Sequence, residues 1–251
     1  MKKLLFFACA LICATNVSAQ KSGFVTIDLN EIKTTVAEHP EKIKKLIART
    51  STLDSTLSNK DRMTAYCGQS YISNDGEVLD EMDIDKYLHE GAMGMALTTA
   101  KNILKRNPLN IKALHTAGNT MFKIYKDSIT TSKNGKLYKD SISNYFSRLG
   151  ALLWAIKSTG DGSQAHPFLV TKIDDEYMVM HLLLNLKDFG TQTQTDHFDV
   201  FSLKTKSSHY DKPYIYFDIT RVLEIKRLLF PNTTNTNTSN GIKSNATDNK
   251  K

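Results

Sequence analysis

The chain is 251 residues long, 24% charged and 40% hydrophobic, with a formal net charge of +7. That length suits one domain, or two tightly joined lobes, at ~100 to 200 residues each. The composition argues against several classes. Three cysteines give no disulfide framework or paired-cysteine metal site, no stretch reaches the roughly 20 apolar residues of a membrane helix, and the basic residues are spread along the chain instead of forming a nucleic-acid patch.

At the N-terminus Lys2 and Lys3 precede an apolar run from Leu4 to Ala14, and Val17-Ser18-Ala19 places small residues where a signal peptidase cuts. Residues 1–19 therefore read as a secretory signal, and a periplasmic or secreted location is expected. Cys13 follows Ile12, and Cys9 follows Ala8 too early in the run, so free export ranks above a lipid anchor. Removing the leader takes away two of the 33 basic residues and none of the 26 acidic ones, which lowers the net charge from +7 to +5. It leaves a single cysteine, Cys67, which reads as a small buried hydrophobe between Tyr66 and Gly68.

Residues 24–49 place Ile32, Val36, Ile43, Leu46 and Ile47 at helical spacing with a break at His39-Pro40, predicting two short helices, the second opened by Pro40. Lys42, Lys44, Lys45 and Arg49 form a solvated side of that second helix. The polar residues 50–60 predict a loop or short helix, and Asp61 a cap for a turn through Met63, Ala65 and Tyr66. Residues 68–85 predict irregular chain. Within them Asn74-Asp75-Gly76-Glu77 is similar to the middle of a calcium loop, but with Gly76 at the sixth position Met82 falls where a carboxylate is required, so the stretch reads as a turn.

From Lys86 the helical signal strengthens. Met93, Ala96, Leu97, Ala100, Ile103 and Leu104 predict a helix ended by Asn107-Pro108, Ile111 to Tyr125 a second, and Leu137 to Ile156 a third. Pro108, Asn110, Ala113, Leu114, Ala117, Gly118 and Met121 resemble the junction between tetratricopeptide repeats, where a small residue lets helices approach closely. The likeness covers about one and a half repeats, whereas a free-standing solenoid needs roughly three, so the helical lobe must lean on the C-terminal half.

Residues 158–177, STGDGSQAHPFLVTKIDDEY, mark the hand-over. Gly160 and Gly162 supply backbone freedom, Asp161 bonds its own backbone, and Pro167 blocks helix. Beyond it the pattern predicts a strand over Phe168 to Lys172, a helix from Asp174 to Leu184 capped by Asp174, and a strand over His197 to Leu203. Tyr214 to Ile219 predicts a half-buried strand with Ile215, Phe217 and Ile219 on one face. A last helix is expected from Arg221 to Phe230, and the Asn- and Thr-rich residues 231–251 read as a disordered tail. The fold class is α+β, a helical lobe over 20–157 packed on a small, mainly antiparallel sheet lobe over 158–230.

The leader, the repeat-like helices, Ala155-Ile156 leading into Ser158-Thr159-Gly160-Asp161-Gly162, the Asp175-Glu176-Tyr177 triplet and the Tyr216-Phe217-Asp218 strand together resemble the exported Bacteroidota family catalogued as domain of unknown function 4919. That resemblance implies the architecture and an envelope location, and it transfers no catalytic residue.

No catalytic template fits. Gly160-Asp161-Gly162-Ser163 lacks the Lys-Ser/Thr pair of a phosphate loop and reads as a junction turn with Asp175, Glu176 and Tyr177. His166, His181, His197 and His209 lack zinc spacing, so no metal or cofactor is expected. Asp196, His197 and Asp199 lack a Gly-x-Ser-x-Gly elbow. Asp174, Asp175 and Glu176 are what a helix dipole asks for at its start. The reading is a non-enzymatic module that binds an envelope protein or peptide. The alternative is an envelope hydrolase or carbohydrate-active enzyme, with Asp161, Asp175, Glu176 or His166 converging at the helix-sheet junction. Asp54-Ser55, Asp127-Ser128 and Asp140-Ser141 resemble Bacteroidota O-glycosylation motifs. Ser128, expected in a loop, is the candidate acceptor, and Asp140-Ser141 is expected to cap a helix.

Overall fold

The computed structural model describes residues 23–73 and 76–229. The expected leader over 1–19, the expected tail over 231–251, and Asn74 and Asp75 of the expected turn lie outside the described residues. In chain order the described elements are α1 (Leu29–Glu38), α2 (Pro40–Ser51), α3 (Asn59–Ile72), α4 (Gly76–His89), α5 (Met93–Arg106), α6 (Ile111–Tyr125), α7 (Ser128–Thr131) and α8 (Gly135–Lys157). There follow β1 (Phe168–Leu169), α9 (Ile173–Met178) running into a π-helical turn (Val179–Leu183), β2 (Phe189–Thr195), β3 (Phe198–Leu203), β4 (Tyr214–Asp218) and α10 (Thr220–Leu229).

Local chemistry sets most boundaries. Asp28 caps α1 by accepting from the amides of Asn30 and Glu31. Pro40 opens α2, where its missing N–H and fixed φ do no harm. Asp61 does not cap alone, because Ser58 and Asp61 form a reciprocal capping box at the start of α3. Asn110 accepts from the Ala113 amide at 2.7 Å and starts α6. Gly118 on α6 lets the Phe146 ring of α8 come so near that a Cβ would sit 3.0 Å from it.

Residues 68–85 are not irregular. They complete α3 and form α4. In α3 a run of neighbours, Ala65, Tyr66, Cys67, Gly68 and Gln69, is buried, so there is no polar face to reveal the period. In α4 the amphipathicity is inverted: Glu77 and Glu81 are buried beside Ile84, while Val78, Leu79 and Met82 are exposed. Gly76 and Glu77 belong to this helix and not to a turn.

The four strands form one sheet in the order β1-β4-β3-β2, with β1 parallel to β4 and the other pairs antiparallel. The expected strand over Phe168 to Lys172 is only two residues long. The strand expected from His197 starts at Phe198, because Asp196, with φ 46°, and His197 form a two-residue hairpin turn. Strand β2 escaped the sequence reading: its exposed Thr and Gln residues show no apolar alternation. Asp174 does not cap α9. Lys172 holds the cap position without a side-chain bond, and the Asp174 carboxylate accepts from Lys112 at 2.7 Å.

One continuous core runs from Ile32 and Ile43 through Met63, Tyr66, Leu152 and Ile156 to Phe168, Phe201 and Phe217, joining helices to sheet. A smaller cluster, with Ile84, Leu97, Ile103, Ala117 and Ile142, lies among α4, α5, α6 and α8. Cys67 is fully buried in the main core, and burial pushes its thiol up to about 12.

Candidate functional site at the helix-sheet junction

The junction turn is closed on itself. The amides of Asp161 and Gly162 both donate to the His166 carbonyl at 3.0 Å, and the Ser163 amide donates to the Asp161 carboxylate at 3.0 Å. Those are the amides a phosphate would need, and they are occupied. Gly162 has φ +72°, and a Cβ on Gly160 would lie 2.2 Å from the His166 carbonyl oxygen. The Gly162 carbonyl accepts from the Tyr210 hydroxyl and the Tyr216 amide, both at 2.9 Å. Asp161 pairs with Lys212 at 2.5 Å. Partial burial acts against ionisation of Asp161, but Lys212 and Ser163 outweigh it and hold its carboxyl at about 2.

Asp175, Glu176 and Tyr177 lie in the seam between helices and sheet. Asp175 is 2% exposed and accepts from the Tyr66 hydroxyl of α3 at 2.5 Å; that hydroxyl in turn accepts from the Thr171 amide at 2.9 Å. Burial lifts the Asp175 carboxyl to about 7, although Lys172 and Tyr66 pull it back. Glu176 is fully buried, and neither of its oxygens has a hydrogen-bond partner among the described residues. Burial, then the nearby Asp199 and Asp175, lift it to about 9, so it is a neutral acid at pH 7. Tyr177 donates to Gln192, which donates to Asp199 at 2.6 Å.

Beside Asp175, Lys172 reaches α4, donating to Glu77 and, at 2.6 Å, to Glu81. Asn107 and Asn110 also donate to Glu77, and Asn110 to Glu81. Burial alone would raise the Glu77 carboxyl, but Lys172, Asn110 and Asn107 outweigh it and hold it below the usual range. The inward carboxylates of α4 are thus its anchors. Lys112 bridges Asp85 and Asp174 at 2.7 Å each. On α10, Arg221 is buried: its Nε donates to the Ser70 hydroxyl, its Nη2 to the Ser70 carbonyl, and its guanidinium lies 3.7 Å over the Tyr71 ring.

With its carboxylates turned inward, α4 presents its apolar side to a groove facing α10. Two adjoining recesses share Val78, Lys172 and Ile225: one of about 190 Å³ beside Tyr71, Arg221 and Leu228, and one of about 350 Å³ beside Met82, Ile173 and Val222. The rims are exposed and apolar, with Val78 at 48%, Met82 at 62% and Leu228 at 71%. The sequence reading named none of Tyr66, Lys172, Glu77, Glu81 and Arg221 as site residues. They come from four separate segments, and the one local signal is the four-residue spacing of Glu77 and Glu81.

The four residues of the hydrolase alternative keep separate partners. Asp161 holds Lys212, His166 packs on Phe24 with ring centres 4.9 Å apart, Asp175 holds Tyr66, and Glu176 is sealed. His181 contacts the Leu186 carbonyl, His197 packs on Phe198, and His209 meets Ser208. Among the described residues no three His, Cys, Asp or Glu side chains are grouped to hold a metal ion. Ser128 is half-buried at the start of α7 instead of lying in a loop, and Asp140 and Ser141 fall inside α8, where they cap nothing.

These features define an α+β protein whose helices are tied to a small mixed sheet by buried carboxylates. The chain belongs to the family described as domain of unknown function (DUF4919), whose profile matches residues 30–227. No curated protein and no solved structure matches it.

Proposed function

We propose that this chain is an exported, non-enzymatic binding module of the bacterial envelope, and that the groove between α4 and α10 receives an apolar peptide segment of an envelope protein. The observation that carries this reading is the inverted α4. Its carboxylates are held inward by Lys172, Asn107 and Asn110, which turns Val78 and Met82 outward along the groove that Leu228 also lines. Exposed apolar rims along a groove are the usual mark of a docking surface. The serial packing of α4 on α5, α5 on α6 and α6 on α8 is what a tetratricopeptide-like lobe would have and supports the same reading.

A photo-crosslinking residue at Met82, with Lys139 on α8 as control, tests it in cells. Peptide adducts at Met82 in excess of those at Lys139 are expected. Equal yields at the two positions would remove the groove from the proposal. Export rests on Lys2, Lys3, the apolar run and Val17-Ser18-Ala19. The intact mass of protein from the native envelope checks it: a mass beginning at Gln20 is expected, with any excess mapping to Ser128 as an O-glycan. An uncleaved Met1 would refute export.

The buried acids Asp175 and Glu176 give the hydrolase reading its one physical argument, since a general acid needs a raised carboxyl. Asp175, however, lines a space of only about 10 Å³, room for about one water and not for a sugar. The binding reading is therefore the one the geometry favours.

A further inference from the structure

Strand β2 lies at the edge of the sheet, and among the described residues its strand partner is β3 alone. In an antiparallel edge strand, alternate residues turn both N–H and C=O away from the partner, a ready template for another strand. Natural edges are usually blunted by shortness, proline or charge. Here β2 is the longest strand of the sheet, and its residues, Phe-Gly-Thr-Gln-Thr-Gln-Thr, include neither proline nor a charge; its one interruption is a register shift between Phe189 and Gln192, and from Gln192 to Thr195 its pairing with β3 is regular. Positions 191–195 are all exposed. The opposite edge differs: β1 is two residues long and both are buried.

The flanks decide what this edge accepts. Asp188 and Asp196, both exposed, bracket the strand. If a second copy paired antiparallel in full register about Gln192, each Asp188 would face the other copy's Asp196, setting like charges opposite each other twice, which is unfavourable. A strand of another protein with basic ends meets the same two carboxylates favourably.

We propose that the outer edge of β2 docks an extended peptide segment of about seven uncharged residues bounded at each end by Lys or Arg, added beside β2 as a further strand. Gln192 is already engaged by Tyr177 and Asp199, and Thr191 by Ser202, so both stiffen the edge, and Thr193 and Thr195 remain to contact the incoming strand. This edge is separate from the α4–α10 groove, and either site stands without the other.

The test uses the full chain and a synthetic peptide of alternating Thr and Val with a Lys at each end, followed by fluorescence anisotropy and by amide hydrogen exchange. Saturable binding is expected, with exchange slowed within residues 189–195. Two further peptides are N-methylated on one or the other alternating set of amides, and only one of them should keep its affinity. Glu-ended peptide should bind roughly tenfold more weakly at low salt, and the Asp188→Asn, Asp196→Asn double variant should erase that difference. Absence of saturable binding, equal binding by both methylated peptides, slowed exchange elsewhere, or no difference between Lys- and Glu-ended peptides would each overturn the proposal. So would slowing at 189–195 that rises with protein concentration in the absence of peptide, because the edge would then join a second copy.

Discussion

The Tyr66 hydroxyl on α3 donates to Asp175 on α9 at 2.5 Å across 109 residues of chain, and both side chains are buried. Burial and the Asp175 charge raise the Tyr66 hydroxyl well above its ordinary range, so it stays a donor. One bond therefore couples the helical half to the segment that carries Glu176 and leads into the sheet.

Tyr66→Phe removes the donor to Asp175 and the acceptor for the Thr171 amide at once. Leaving buried polar groups without partners costs about 1 to 3 kcal/mol each. Urea unfolding should show a loss of at least about 1 to 3 kcal/mol, the cost of one such group, with an unchanged m-value. A loss within ~0.5 kcal/mol, as at an ordinary surface position, would mean that the bond holds nothing together.

Stability should fall as pH rises from about 5 to 9. The folded-state carboxyls of Asp175 and Glu176 sit at about 7 and about 9, above their ordinary values of 3.8 and 4.5, so the folded chain holds protons that the unfolded chain releases. Stability is full below the ordinary values and is lost as pH climbs through the raised ones, at most roughly 1.4 kcal/mol per pH unit for each group. Asp199, also raised by burial, adds in the same direction, whereas Glu77 and Asp161, held low, oppose it only on the acid side. Thermal melts across this range check the slope, and Glu176→Gln, which mimics the neutral acid, should flatten its upper part.

Lys172→Met strips the cation from Glu77 and Glu81, whose side chains are 6% and 8% exposed. Removing one partner of a buried ion pair costs about 3 to 5 kcal/mol. Exchange should quicken first in α4. A variant as stable as the parent would show that Asn107 and Asn110 hold that helix unaided.

The two glycines of the junction should fail for different reasons. Gly162→Val forces a branched side chain to φ +72° and into the Phe168 ring 2.8 Å away, for a loss of more than ~1 kcal/mol. Gly160→Val drives a Cβ against the backbone carbonyl of His166 and should be at least as severe. Gly94→Ala on α5, where nothing lies within 4 Å, is the control and should stay within ~0.5 kcal/mol.

Leu97, 6% exposed among α4, α5 and α6, should cost about 2 to 5 kcal/mol when cut to Ala. Met82→Ala on the groove rim, 62% exposed, should change stability little. Equal losses at the two positions would mean that α4 buries Met82 in solution, and the groove would then be closed.

Where local chemistry is enough, the chain alone determined the outcome. Pro40 started a helix, Asn107-Pro108 ended one, the apolar stripe from Met93 to Ile103 faced a core, the period of two in Ile215 and Phe217 made a half-buried strand, and Gly162 took the positive φ of a turn. Each of those signals acts within a few residues, through backbone sterics or the alternation of burial. The helix α4 and the strand β2 were decided only by tertiary structure. Glu77 and Glu81 face inward because Lys172, Asn107 and Asn110, between 29 and 95 residues from the carboxylates they bond, neutralise and hold them there, and no period in 76–89 announces partners so distant. The sequence Asp175-Glu176 reads as an ordinary acidic helix start. It became a pair of buried, proton-holding acids only because Tyr66 of α3 reaches Asp175 and Asp199 of β3 comes near Glu176, and the packing around them excludes the water that would have kept them charged.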